Sequence, residues 1–154
     1  MSGIAHAQDK QFYWERLDVQ MTILTNSDIQ VVETQELVFT EGTFAKGSRN
    51  IPMNRLEAIA DVEVWEGDRP YAPNSDRPYG FTTSVEGGDF YIRWNFPETS
   101  GRHTYTLKYT VKGGLRIYDT GDQLWWKAIF SDRRFPVRSS RVTVNLPSAI
   151  EPAL

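Results

Sequence analysis

Residues 103–112 read His103-Thr104-Tyr105-Thr106-Leu107-Lys108-Tyr109-Thr110-Val111-Lys112. Tyr105, Leu107, Tyr109 and Val111 take every second position, and threonines and lysines fill the gaps. Successive side chains of an extended chain point to opposite faces, so the stretch predicts a strand with one apolar and one solvated face. Strands of that kind belong to antiparallel sheets that bury one side. The same alternation recurs on both sides of it. Leu17, Val19, Met21 and Ile23 form one apolar row, and Ile29, Val31, Leu37 and Phe39 form another in a strand ending near Thr40. Thr25-Asn26-Ser27-Asp28 between them is a turn cluster, so the pair reads as a hairpin. Gly87-Gly88 is a second hairpin signal, followed by alternating Phe90, Ile92, Trp94 and Phe96.

The remaining segments are less regular. Gly42, Gly47 and Pro52 read as a loop or irregular edge, and residues 97–102 as a turn into the opening strand. Residues 56–65 are a strand candidate with Ala58, Ala60, Val62 and Val64 on one side. Residues 67–80 hold Pro70, Pro73 and Pro78 among Asp, Asn and Ser, which predicts a surface loop long enough to bind something. Short strands follow at 115–118, 122–130 and 137–146, the last with Val142, Val144 and Leu146 inward. About eight to ten short strands separated by turns predict an all-β fold: an antiparallel, immunoglobulin-like β-sandwich in a single domain. The expected organisation is a loose leader over 1–10, the sandwich over 11–148 and a tail over 149–154.

Composition narrows the function classes. The chain has 154 residues and a net charge of −3, with 17 basic and 20 acidic side chains intermixed. A nucleic-acid binder needs a basic stripe, and none exists, so no nucleic-acid partner is expected. The local cluster of Arg133, Arg134, Arg138 and Arg141 beside Asp132 reads as a solvated strand end rather than a phosphate site. Cysteine is absent, which excludes disulfides, thiol nucleophiles and thiolate metal sites. No stretch approaches the ~20 apolar residues of a membrane span. Ala5-His6-Ala7 before Gln8 fits a signal-peptidase site, which points to a chain cut just inside a signal peptide behind a Met1-Ser2-Gly3 leader. A chance small-residue tripeptide is the alternative.

Few residues offer chemistry. His6 lies in the leader, and His103 has no second His or Cys with which to ligate a metal. No P-loop, Rossmann fingerprint or nucleophile elbow occurs. Asp119-Thr120-Gly121-Asp122 has calcium-type oxygens without the closing bidentate Glu, so an Asp-rich turn is preferred and no metal or cofactor is expected. Glu33 shares the inward row of Ile29, Val31, Leu37 and Phe39, and a buried carboxylate needs a partner. Arg49 is the candidate, in a structural ion pair rather than an acid–base role. In Trp125-Trp126, neighbours on a strand face opposite ways. Trp126 lines up with the inward row, and Trp125 points outward or lies under a loop. An exposed Trp125 with Tyr118 would offer a stacking surface, as would Tyr71 and Tyr79 of the 67–80 loop.

Val31-Val32-Glu33, Phe39, Gly42, Phe44 and Arg49-x-Ile51-Pro52 resemble the opening of the DUF2207 domain. Tyr105 to Gly113, Asp122-x-Leu124-Trp125-Trp126, Pro136-Val137 and Val142-Thr143-Val144-Asn145-Leu146-Pro147 are similar to its later elements. Lys127-Ala128-Ile129-Phe130 departs from the family's Asn and Gly-containing turn. The resemblance covers roughly residues 12–147. It implies the exported N-terminal β-domain of a predicted bacterial membrane protein, tethered through segments outside this chain. The family carries no established activity, so it transfers no catalytic residues. The expected role is a non-enzymatic, extracytoplasmic binding or structural domain, monomeric, meeting a protein or glycan at the cell surface. The alternatives are a carbohydrate-binding module with coplanar exposed rings and a cell-envelope hydrolase with two close acids, or a His–acid pair, in a concave pocket.

Overall fold

The computed structural model describes residues 10–118, 121–124 and 135–147, with the backbone alone described at 116–118 and 121–124. The strands in chain order are β1 (Gln11–Ile23), β2 (Ile29–Pro52), β3 (Ala58–Glu66), β4 (Arg69–Pro70), β5 (Ala72–Pro73), β6 (Gly80–Glu86), β7 (Asp89–Lys112), β8 (Leu115–Tyr118), β9 (Gly121–Leu124) and β10 (Ser140–Asn145). No helix occurs among the described residues. The all-β expectation therefore holds. One hydrogen-bonded path runs β10-β1-β2-β7-β3-β4, with β6 on the free flank of β7 and β8-β9 as a separate hairpin. The long pairings are antiparallel, yet the sheet is mixed, because β10 runs parallel to β1 and β5 parallel to β6.

Two expectations about loops are corrected. Residues 42–52 are not an irregular edge, and 97–102 are not a separate turn, because β2 and β7 are each continuous strands of 24 residues. They pair along two arms, Ile29–Phe39 with Gly101–Val111 and Lys46–Pro52 with Asp89–Asn95, with register shifts around Phe44. Gly42 and Gly101 both sit at φ +77, a left-handed geometry that L side chains rarely adopt. The glycines thus bend two long strands rather than ending them.

The bend folds the sheet onto itself. Glu33 and Arg49 are 16 residues apart in β2, yet Arg49 Nε lies 3.0 Å from Glu33 Oε1. A straight strand would hold their backbones roughly 50 Å apart. In β7, likewise, the rings of Trp94 and Tyr105 lie 5.9 Å apart. The two arms of each strand therefore face one another across one core.

Alternation explains which residues fill that core. Leu17, Val19, Met21, Ile29, Val31, Leu107, Tyr109 and Val111 line it from the first arm, and Ile51, Phe90, Ile92, Trp94 and Phe96 from the second. Each such side chain contributes on the order of 1.5–3 kcal/mol relative to exposure. Gly47 lies in the same inward row as Arg49 and Ile51, directly opposite Trp94. A Cβ there would sit 2.3 Å from the Trp94 ring, so the indole needs glycine beneath it. Gly87 and Gly88, both at positive φ, form the two-residue turn joining β6 to β7.

The inward assignment of Val142, Val144 and Leu146 is overturned. They are 46%, 44% and 51% exposed: among the described residues β10, which carries Val142 and Val144, pairs with β1 alone, and Leu146 follows it.

Candidate functional site

Among the described residues, besides the buried hydrogen bond from Trp14 Nε1 to Gln35 Oε1, two constellations built around a glutamate interrupt the apolar core. The first lies deep between the arms. Glu33, 0% exposed, accepts from Arg49 Nε at both carboxylate oxygens, at 3.0 and 3.2 Å. It also accepts from the Tyr109 hydroxyl, while Arg49 Nη1 donates to the Asn50 carbonyl at 2.7 Å. Burial works against the Arg49 charge, and the adjacent carboxylate outweighs it, so the guanidinium pKa is raised. Burial, reinforced by the Glu33 charge, pushes the Tyr109 hydroxyl well above its ordinary value of 10.0. Charge, counter-charge and hydroxyl are matched and sealed, an arrangement suited to holding the arms together and closed to any ligand.

The second lies at the corner where β7 bends. A cleft of about 110 Å³ is lined by Glu66, Tyr79, Phe96, Pro97, Glu98, Thr99, His103 and Tyr105. The β3–β7 register places Glu66 opposite Tyr105, and alternation turns His103 to the same face as Tyr105. Glu66 Oε1 accepts from the Tyr71 hydroxyl at 2.7 Å, and Oε2 lies 3.2 Å from His103 Nδ1. His103 Nε2 lies 2.8 Å from Thr99 Oγ1 and 3.1 Å from the Ser100 carbonyl. Tyr79 sits at φ +66, a strained conformation for a bulky residue. It is held there by its N–H to the Asn95 carbonyl at 2.7 Å and by the Arg69 guanidinium stacked 4.0 Å from its ring. Tyr105 is 0% exposed, and its hydroxyl is buried without a hydrogen-bond partner. Burial first, and then the Glu66 charge, raise the pKa of Tyr105, and burial with the Glu66 hydrogen bond does the same for Tyr71. Both phenols therefore keep their protons.

Residues 13–153 match the family described as the N-terminal domain of a predicted membrane protein, DUF2207. The chain belongs to the DUF2207 family. No curated protein matches it. Among the described residues of this DUF2207 domain, no helix is long and apolar enough to cross a membrane.

The DUF2207 domain distributes the residues singled out in its sequence unevenly. Glu33 and Arg49 come together, as described. Tyr71 and Tyr79 also meet, with ring centroids 5.8 Å apart, but edge to face at 85°. Tyr71 is 4% exposed and walls the Glu66 carboxylate, while Tyr79 is 37% exposed at the rim. The pair forms no coplanar platform. Trp125, Trp126 and Asp119 lie outside the described residues, as do the side chains of Tyr118 and Asp122. The cleft itself was not foreseen: Glu66 and Thr99 were not singled out, and Tyr105 was read as part of the apolar core row, where it also walls the cleft. The available signal was parity, since Glu66 continues the inward row of Val64 and His103 that of Tyr105.

Proposed function

We propose that this chain is an extracytoplasmic, non-enzymatic recognition domain of a membrane protein, and that the corner cleft is its binding site. The family description supports attachment to a membrane protein. The observation that carries the recognition reading is the convergence of Glu66, His103, Thr99 and Tyr105 in one concave site beside the strained Tyr79. Concave sites with a few convergent polar groups are where small chemical groups bind.

A hydrolytic reading has observations in its favour: Glu66 and Glu98 line one concave cleft, and His103 pairs with Glu66 there. Thr99, His103 and Glu66 form a hydroxyl–imidazole–carboxylate chain with links of 2.8 and 3.2 Å. The bonding around it argues for positioning instead. Thr99 Oγ1 donates to the Ser100 carbonyl at 3.3 Å, and His103 Nε2 is within 3.1 Å of that same oxygen. A ring nitrogen facing a carbonyl is a donor, and a donor cannot take the proton of a nucleophile.

Protease treatment of intact cells making the full-length protein tests the orientation. Cleavage within this domain is expected, and protection in intact but not lysed cells would reject it. The isolated domain should bind solubilised cell-envelope fragments, and His103→Gln should weaken that binding. Undiminished binding by the variant would remove the cleft from the proposal.

A further inference from the structure

The geometry points to a protonated primary amine on an alkyl stem, a lysine-type side chain presented by a peptide, as the group the corner cleft receives. This rests on the recognition reading of the cleft and adds the chemistry of its occupant. Two carboxylates, Glu66 and Glu98, line the cleft, and Glu98 has no hydrogen bond or ion pair among the described residues. The Tyr105 hydroxyl supplies a third oxygen, fully buried and without a partner. An ammonium carries three N–H donors and no acceptor, so it suits a site where Glu98 supplies an open carboxylate and the Tyr105 hydroxyl an unused oxygen, with Glu66 already accepting from Tyr71 and facing His103 Nδ1. Phe96 and Pro97 give the stem an apolar wall.

Competing occupants fit less well. An anion would meet two carboxylates. A metal ion has no group of three or more His, Cys, Asp or Glu side chains to hold it among the described residues. A sugar ring finds no coplanar platform, since Tyr71 and Tyr79 meet at 85° and Arg69 stacks on Tyr79. An amino headgroup of a phospholipid brings its phosphate to the same carboxylates, which favours the peptide side chain over the lipid.

The test is an NMR titration of the domain with Nα-acetyl-lysine-methylamide, the same compound acetylated at Nε, and vesicles of phosphatidylethanolamine. Saturable shifts at His103, Tyr79 and Tyr105 are expected with the lysine compound alone. Glu98→Gln should weaken binding at least about tenfold, the loss of a charge-assisted hydrogen bond. Tyr105→Phe should weaken it several-fold while leaving the melting temperature equal or higher, a combination that a purely structural tyrosine would not give. No saturable shift, an equal response to the Nε-acetylated compound, a response to the vesicles alone, or native affinity in Tyr105→Phe would each overturn the inference. If envelope fragments bind through His103 while the lysine compound fails, the amine inference falls and the recognition reading stands.

Discussion

The buried knot and the corner cleft are built from the same parts. Each pairs a glutamate with a basic side chain and a tyrosine from β7, and each joins segments distant in sequence. They differ in completeness. Around Glu33 the donors and acceptors are matched and water is excluded. Around Glu66 the side chains stay partly open, with 27% of the glutamate and 23% of His103 exposed, and the Tyr105 hydroxyl is left over. Polar groups closed among themselves hold a fold together. The polar groups left over in the cleft are what the proposed recognition reading rests on.

The comparison breaks first at Arg49. Arg49→Met strands the Glu33 carboxylate in the core and should cost about 3–5 kcal/mol in urea unfolding. Adding Glu33→Leu should recover most of that loss; a mild effect of the single change would show that the knot is not sealed. Gly47→Ala drives a methyl into the Trp94 indole and should cost about 1–3 kcal/mol, read as a lowered melting temperature.

Alkaline pH probes the tyrosines of both regions. Tyr109 and Tyr105 have raised pKa values in the fold, so above the ordinary value of 10.0 the unfolded chain releases protons that the native chain keeps. Their stabilising contribution is complete below pH 10.0 and is lost as the pH rises beyond it. The slope should reach up to about 1.4 kcal/mol per pH unit for each such group. Equilibrium unfolding at stepped alkaline pH, with tyrosinate absorbance, measures it, and Tyr105→Phe should make the slope shallower. At neutral pH Tyr105→Phe should change stability by no more than about 1 kcal/mol, in the stabilising direction, because it removes an unsatisfied buried hydroxyl. Smallest of all, Arg93→Ala, which breaks the exposed pair with Glu86, should leave the melting curve unchanged.

Sequence patterning revealed much of the fold and half of its polar chemistry. The Tyr105–Val111 alternation predicted a one-sided strand, and its odd positions are core. The inward parity of Glu33 called for a buried cation, and Arg49 stands beside it. Parity failed where the sheet ends, because alternation reports a face and not whether anything covers it, as Val142 and Val144 show. Glycine and proline at 42–52 suggested a loop because the signature of a bend inside a long strand is the same as that of a break. The cleft was hidden for another reason. Glu66 and His103 are 37 residues apart, and only the β3–β7 register and the folding-over of β7 bring them to one corner. A lone histidine in a sequence carries no trace of that.

The parallel pairing of β10 with β1 has a mechanical consequence. The chain enters β1 at Gln11 and leaves β10 beyond Asn145, and the pairing runs in register from Leu17–Ser140 to Thr22–Asn145. Tension between the entering and leaving segments would drag the two strands past each other along their length. The inter-strand bonds would then share the load and break together, instead of opening one at a time as in a zipper. A domain wired this way can bear force along its own chain.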